Sequence, residues 1–256
     1  MKNLIVFLIL SCLASLSKAQ SVKSFDLKGH VMEVADYKYD KTDPTILKKP
    51  KKSISKFDKQ GNVLENIEIS STGEVISKSE YVQTNKKNVT VNDYDKNSKL
   101  TATSIFVYND NHQLIEFNET YNTGKTDTGL VGKLFKNDRV PLMKKTYKYD
   151  KSGNVTEEDS YFRNVLHDKR VILYNKSNVK VEENGFDKNG TLTYKSIFKY
   201  DKSVNLIESE INYTTGNENI KGISQYSKHD KYGNWLSQTY QNNSDKWLIE
   251  RVVKYY

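Results

Sequence analysis

The sequence predicts an all-β protein: an antiparallel, twisted sheet of stacked β-hairpin repeats. Three observations predict it. One turn motif recurs along most of the chain. The runs between its copies alternate with the period of a strand. The apolar residues are those that suit a pleated, half-wet surface, with 18 Tyr and 9 Phe against 3 Pro.

The turn motif comes first because it sets the architecture. Its clearest copies are Phe57-Asp58-Lys59-Gln60-Gly61-Asn62 and Tyr149-Asp150-Lys151-Ser152-Gly153-Asn154. Phe186 to Thr191 and His229 to Asn234 follow the same pattern. Copies without glycine begin at Tyr94, Tyr108, Tyr174 and Tyr200, and Ser70 to Val75 is a further degenerate turn. The chemistry is that of a hairpin. Asp or Asn caps the following backbone N–H groups. Two polar residues occupy a type I turn. Gly or Asn then takes the left-handed conformation that the bulge requires.

The flanks behave as strands. Tyr147 and Tyr149 fall on one face, as do Phe198 and Tyr200. Ile105 to Tyr108 turns back as Leu114 to Phe117, and Val252 to Tyr256 closes the chain as a strand. Asp187 to Asp201 is 14 residues, so one motif serves each hairpin and a less regular loop closes its other end. Two stretches break the rhythm. Lys41 to Ser55, with Pro44 and Pro50, reads as a loop after an opening strand from Val31 to Tyr39. Asn122 to Pro141, with Gly124, Gly129 and Gly132, reads as a long loop and a candidate subdivision of the repeat domain.

The N-terminus is different in kind. Lys2, the apolar run Leu4 to Leu10, and Ser17-Lys18-Ala19 form a secretory signal peptide over residues 1–19, leaving a repeat domain over 20–256. Ile9-Leu10-Ser11-Cys12 is a weak lipobox; removal of Cys12 with the leader is the favoured expectation over lipid anchoring. Cys12 is the only Cys, so the mature chain is expected to hold no disulfide and no thiol chemistry, and no transmembrane helix. The expected compartment is the periplasm, cell surface or exterior of a bacterium.

Charge narrows the partners. Removing Lys2 and Lys18 from the 40 basic residues leaves 38 against 32 acidic. The two signs are interleaved, which argues against nucleic acid. The run Lys48-Lys49-Pro50-Lys51-Lys52 reads as a solvated linker.

The pattern Tyr147-x-Tyr149-Asp150-x-x-Gly153-Asn154 resembles the YD repeat of Rhs-type proteins, and similar matches run from Phe57 to the C-terminus. The resemblance implies a twisted sheet of stacked hairpins and, softly, carbohydrate binding. Large members close such hairpins into a shell, some around a C-terminal toxin. This chain is expected to be far too short for a closed shell, and no toxin domain is recognisable after its repeats.

Chemistry is sparse. No nucleophile elbow, phosphate loop or metalloprotease helix is present. His30, His112, His167 and His229 are scattered. The turn Asp residues are explained by capping and need no calcium. Glu157-Glu158 and Glu182-Glu183 are adjacent in strands, so each pair splits between two faces and reads as wet-face Glu opposite Lys. The expectation is a non-enzymatic binding or structural surface without cofactor or metal. Its partner would be a glycan, envelope component or protein. Trp235, Trp247, Tyr147 and Tyr240 are the candidate partner-binding aromatics, although core packing is the commoner role of such residues. The alternatives are a hydrolase or inhibitor assembled from distant residues, and an adaptor or immunity protein for a secreted toxin.

Overall fold

The computed structural model describes residues 25, 27–42, 49–85, 87–122, 142–214, 216 and 218–256, and the structural statements below concern these residues. The predicted signal peptide, Cys12, Lys48 and almost all of the mid-chain loop lie outside them.

Sixteen strands follow one another: β1 Val31–Asp40, β2 Lys51–Phe57, β3 Val63–Ile69, β4 Val75–Asn85, β5 Asn88–Asp95, β6 Leu100–Tyr108, β7 Leu114–Tyr121 and β8 Met143–Tyr149, then β9 Val155–Phe162, β10 Val165–Tyr174, β11 Lys180–Asp187, β12 Leu192–Tyr200, β13 Leu206–Tyr213, β14 Asn219–His229, β15 Trp235–Gln241 and β16 Lys246–Tyr255. Each pairs antiparallel with its sequence neighbours, and β1 pairs with β16 from Val31–Tyr255 to Asp40–Trp247. The all-β antiparallel class is as the sequence predicts. The closure is a correction: the sheet is a barrel, and the chain is long enough to close. A β strand of 7 to 11 residues uses little chain, so the length that cannot build a large shell still supplies sixteen staves. Closure also removes the exposed edges that an open sheet of hairpins would present.

The turn chemistry is as read. Asp150 N–H donates to the Asn154 carbonyl at 3.0 Å, and Gly153 N–H returns to the Asp150 carbonyl at 3.1 Å. Asp150 Oδ1 accepts from the N–H groups of Ser152 and Asn154 at 2.9 Å. Gly153 has φ 84°, the left-handed position of the bulge. The degenerate copies fold the same way, with Ser98, His112, Asn178 and Val204 at φ 57–66°. For the β-branched Val204 this conformation is strained, and it is held by the register of the strands on either side.

Two boundaries differ from the sequence reading. β2 already begins at Lys51, so part of the lysine run is strand rather than linker. β7 pairs with β8 across the mid-chain loop, from Glu116–Thr146 to Glu119–Met143, so the sheet is continuous there.

Because consecutive connections alternate between the ends of a barrel, the turns sort. One end carries the turns at 58–62, 109–113, 150–154, 175–179, 201–205 and 230–234, the tight β4–β5 turn, and the segment entering β1. We call this the short-turn end. The opposite, long-loop end carries the connections 41–50 and 122–142.

The core lies inside the short-turn end. Leu27, Val31, Val34, Phe57 and Val63 form one buried cluster, with the Phe25 ring edge-on to Phe57 at 5.4 Å. Val91, Phe106, Tyr108, Leu114, Tyr147 and Val155 form a second, and Tyr81 packs against both. Phe57 and Leu114 are only 1% exposed, so water is excluded from the inner wall there. Asn234 ties the entry segment down: its side chain accepts from Lys28 N–H at 2.7 Å and donates to the Lys28 carbonyl at 3.0 Å.

Candidate functional site

Alternation along the strands divides the residues between an inner and an outer wall. The outer wall carries cross-strand ion pairs. Glu65 lies between Lys56 and Lys78 at 2.8 and 2.7 Å. Glu157 holds Lys148 and Lys169. Glu182 pairs with Lys195, Glu208 with Lys199 and Lys221, and Glu33 with Lys254. A polar groove of about 490 Å³ also lies on this wall, lined by Thr103, Ile105, Glu116, Asn118 and Lys144 among others.

The inner wall beyond the apolar clusters is polar and aromatic. Glu158, whose side chain is 5% exposed, meets Lys145 at 2.8 Å and the Arg170 guanidinium. Glu183, equally buried, accepts from the Tyr194 hydroxyl at 2.7 Å and from Lys180 at 3.1 Å. Burial opposes ionisation of Glu183, but Lys180, Tyr194 and Arg170 together hold its carboxyl below the ordinary range. Burial pushes the Tyr194 hydroxyl well up, as does the neighbouring Glu183. Burial also raises Glu119, although the Tyr121 hydroxyl opposes it, and raises Glu68, beside Asp36. Tyr121 is pushed up to about 12 by burial and by Glu119.

Two of the four aromatics singled out from sequence come together here, and a third, Trp235, lies on the same wall toward the short-turn end. Trp247 on β16 is paired in register with Tyr240 on β15, and Lys38 Nζ stands 4.0 Å from the Trp247 ring. Trp235, also on β15, lies 3.6 Å from the Arg251 guanidinium and 5.6 Å from the Tyr226 ring. Arg251 is fixed by two bonds to Asp36, at 2.7 and 2.8 Å. Tyr147 is elsewhere, 8% exposed within the second apolar cluster, so it serves the core. That follows from its place on β8, two residues from the turn that begins at Tyr149.

Glycine shapes this wall at two positions. A Cβ at Gly222 would stand 2.8 Å from the Tyr240 ring, and one at Gly185 would stand 2.1 Å from Tyr194. Both rings therefore lie down over bare backbone, and any side chain there would lift them. Tyr194 continues to Tyr213 at 6.1 Å between centroids. The result is a stripe of Tyr194, Tyr213, Tyr240 and Trp247 along the inner wall toward the long-loop end.

Sequence reasoning missed Glu158, Arg170, Glu183 and Tyr194 as a group. Glu158 lies opposite Tyr147, and Glu183 opposite Ser196, in the observed register. Plain alternation from the inward Tyr149–Val155 pair would put Glu157 inside; the bulge that pairs Lys148 with Glu157 shifts the register and makes Glu158 the inner-wall residue, so periodicity alone carried no signal for it. Among the described residues, no group of three or more His, Cys, Asp or Glu side chains is arranged to hold a metal ion. His112 and His229 are exposed at turns, and His167 meets only the Asp168 side chain beside it.

No family model matches the chain, and no curated protein does. Solved structures do resemble it. A porin-like protein from Bacteroides uniformis matches with a TM-score of 0.58 at 7% identity, covering 88% of this chain and 98% of that one. A porin-like protein from Bacteroides vulgatus matches with a TM-score of 0.54 at 9% identity, covering 90% and 99%. At these identities the likeness concerns the barrel fold. No helix among the described residues is long and apolar enough to cross a membrane, which leaves open crossing by strands.

Proposed function

We propose that this protein is an exported, water-facing β-barrel that binds a partner on its inner wall near the long-loop end, without catalysis. One observation carries the reading: the ionic outer wall. A lipid-spanning barrel needs an apolar band about 25 Å tall, and a Lys facing the mid-membrane costs about 2–4 kcal/mol. Here the outer faces of β2–β4, β8–β14, β16 and β1 carry Lys–Glu pairs instead. The porin-like neighbours support the fold on which this reading rests; conduction is not carried over from them.

The inner wall supplies the binding chemistry. A Trp247–Tyr240–Tyr213–Tyr194 stripe gives stacking faces, and Lys38, Asp40 and Gln238 give polar groups around it. That combination suits a glycan, whose rings stack and whose hydroxyls need donors and acceptors. The inner carboxylates Glu158 and Glu183 are already engaged by cations, which supports structure over catalysis for them. The turn motif, with its likeness to YD repeats, is consistent with this reading and adds no ligand-specific residue.

Two measurements test the proposal. In detergent phase separation the protein should remain in the aqueous phase, and it should form no ion-conducting pores in planar bilayers. Partition into detergent with steady conductance would overturn the water-facing reading. On a glycan array, Trp247→Ala and Tyr240→Ala should weaken any binding of the native protein by about tenfold or more, the equivalent of losing one good stacking contact. Binding left intact by both would move the site off this wall.

A further inference from the structure

The lysine of the turn motif is left over from the reading so far. Turn geometry needs Asp or Asn at the first position and a left-handed residue at the fourth, but it does not require Lys at the second. Yet Lys59, Lys151, Lys176, Lys202 and Lys231 all occupy it. The fold places all five on the short-turn end, since every one of their turns joins an even-numbered strand to the next. On the long-loop end the same position holds only Lys96 and Lys188.

These rim lysines are unlike those of the wall. Lys56, Lys78, Lys148, Lys195 and Lys199 each bond a carboxylate on a neighbouring strand. Among the described residues, Lys59, Lys151, Lys176, Lys202 and Lys231 form no ion pair, and all are exposed. The turn carboxylates stand behind them: Asp58, Asp150, Asp201 and Asp230 each bend back to accept from their own turn. The rim thus presents a positive outer layer over a negative inner one, so its attraction is short-ranged and is screened within about 8 Å at physiological salt.

Some neighbouring turns are also tied to one another. Lys87 bonds Asp110 in the next turn at 2.8 Å, and Asn154 bonds Asn178 at 3.1 Å. The Tyr256 hydroxyl reaches the Phe57 carbonyl at 2.5 Å. Between the lysines stand the exposed Tyr232 and Tyr256, with Lys231 and Lys59 over their rings at 5.0 and 6.0 Å. Alternate connections of a sheet lie about 10 Å apart, and sixteen tilted strands close at a diameter of roughly 30 Å. A compact ligand cannot touch a ring of that width, whereas a flat surface can.

We propose that the short-turn end docks on an anionic lipid surface, with the lysines on headgroup phosphates and the tyrosines at headgroup level. The short range of the rim's field matches a dense plane of phosphates at contact distance, and interfacial Tyr and Lys are the residues such a plane favours. The long-loop end, with the aromatic stripe, then faces away from the membrane. The barrel does not insert, so this docking is separate from the binding site on the inner wall.

Vesicle co-sedimentation tests it with the exported protein as the cell makes it. Phosphatidylcholine vesicles containing phosphatidylglycerol should retain the protein, pure phosphatidylcholine vesicles should not, and raised salt should release it. Changing Lys59, Lys151, Lys176 and Lys202 together to Gln should lower retention by at least about tenfold, while the same four as Arg should keep it. Lys96→Gln with Lys188→Gln, on the other rim, should change retention less than about twofold. Equal loss from both rims, retention on neutral vesicles, or capture by a soluble polyanion with none by anionic vesicles would overturn the proposal. Trp247→Ala should leave retention unchanged, which separates this docking from the inner-wall reading.

Discussion

Lys and Glu meet across strands on both walls of this barrel, and the two sets do different work. On the outer wall Glu208 pairs with Lys199 and Lys221, whose side chains are 62% and 46% exposed. On the inner wall Glu158 pairs with Lys145 and Arg170, all three largely withdrawn from water. An exposed pair gains little, because water and salt already solvate both charges. A buried one is different: its formation is costly, and losing one member strands the other. The outer pairs therefore keep the wall wet, and the inner ones fix which side chains face inward.

The largest expected effect breaks that comparison directly. Glu158→Gln should lower stability by about 3–5 kcal/mol, by leaving Arg170 and Lys145 without their shared carboxylate. Glu208→Gln should cost less than about 1 kcal/mol. Denaturant unfolding measures both, and similar losses would mean that the walls are energetically alike. A sharper test uses sequence neighbours on opposite faces. Tyr194→Phe should cost about 1–2 kcal/mol through the loss of the hydroxyl that donates to the buried Glu183 carboxylate, and Lys195→Gln only a few tenths. Gly153→Val, at a turn belonging to neither wall, should cost about 1 kcal/mol or more by forcing a branched residue to φ 84°.

The smallest effect is in pH. Glu183 is held below its ordinary value of 4.5 in the folded state. A lowered folded pKa gives stability that is present above the unfolded pKa and lost as pH falls through the folded one. Glu68 and Glu119 are raised, so their contribution runs the other way, favouring the fold at lower pH and fading as pH rises past 4.5. Thermal melts from neutral pH downward should show the midpoint falling below about pH 4.5, and Glu183→Gln should flatten that fall. Glu119→Gln should raise the midpoint at neutral pH; a lowered midpoint would refute its raised pKa.

Much of the fold was legible in particular residues. Asp150, Gly153 and Asn154 announce their turn because the bonds that shape it lie within five residues of chain. Tyr147 and Tyr149 share a face because strand geometry is local. The candidate site was only partly legible. Trp235, Trp247 and Tyr240 were found by type, as large aromatics on the strands of a sheet. Glu158 and Glu183 were found but given the wrong wall: alternation splits each Glu–Glu pair between two faces, and the bulge after each turn, which periodicity does not show, decides which member faces inward. Tyr194 was not singled out, because its partner Gly185 and its acceptor Glu183 lie on another strand. Val204 is signalled only by its place in the repeat, not by its residue type, and the register around it imposes the left-handed conformation.

By itself the sequence determined the hairpin grammar: strands of period two, turned by Asp side chains that cap their own loops. Only the tertiary structure decided that the sheet closes, which face is inner, and which turns share an end. Arg251 meets Asp36 across a separation of 215 residues, and Asn234 holds Lys28 across 206. Such contacts depend on the twist, tilt and register accumulated over sixteen strands. No single hairpin fixes that sum, so the barrel's closure, its ionic outer wall and its lysine rim emerge only when the last strand meets the first.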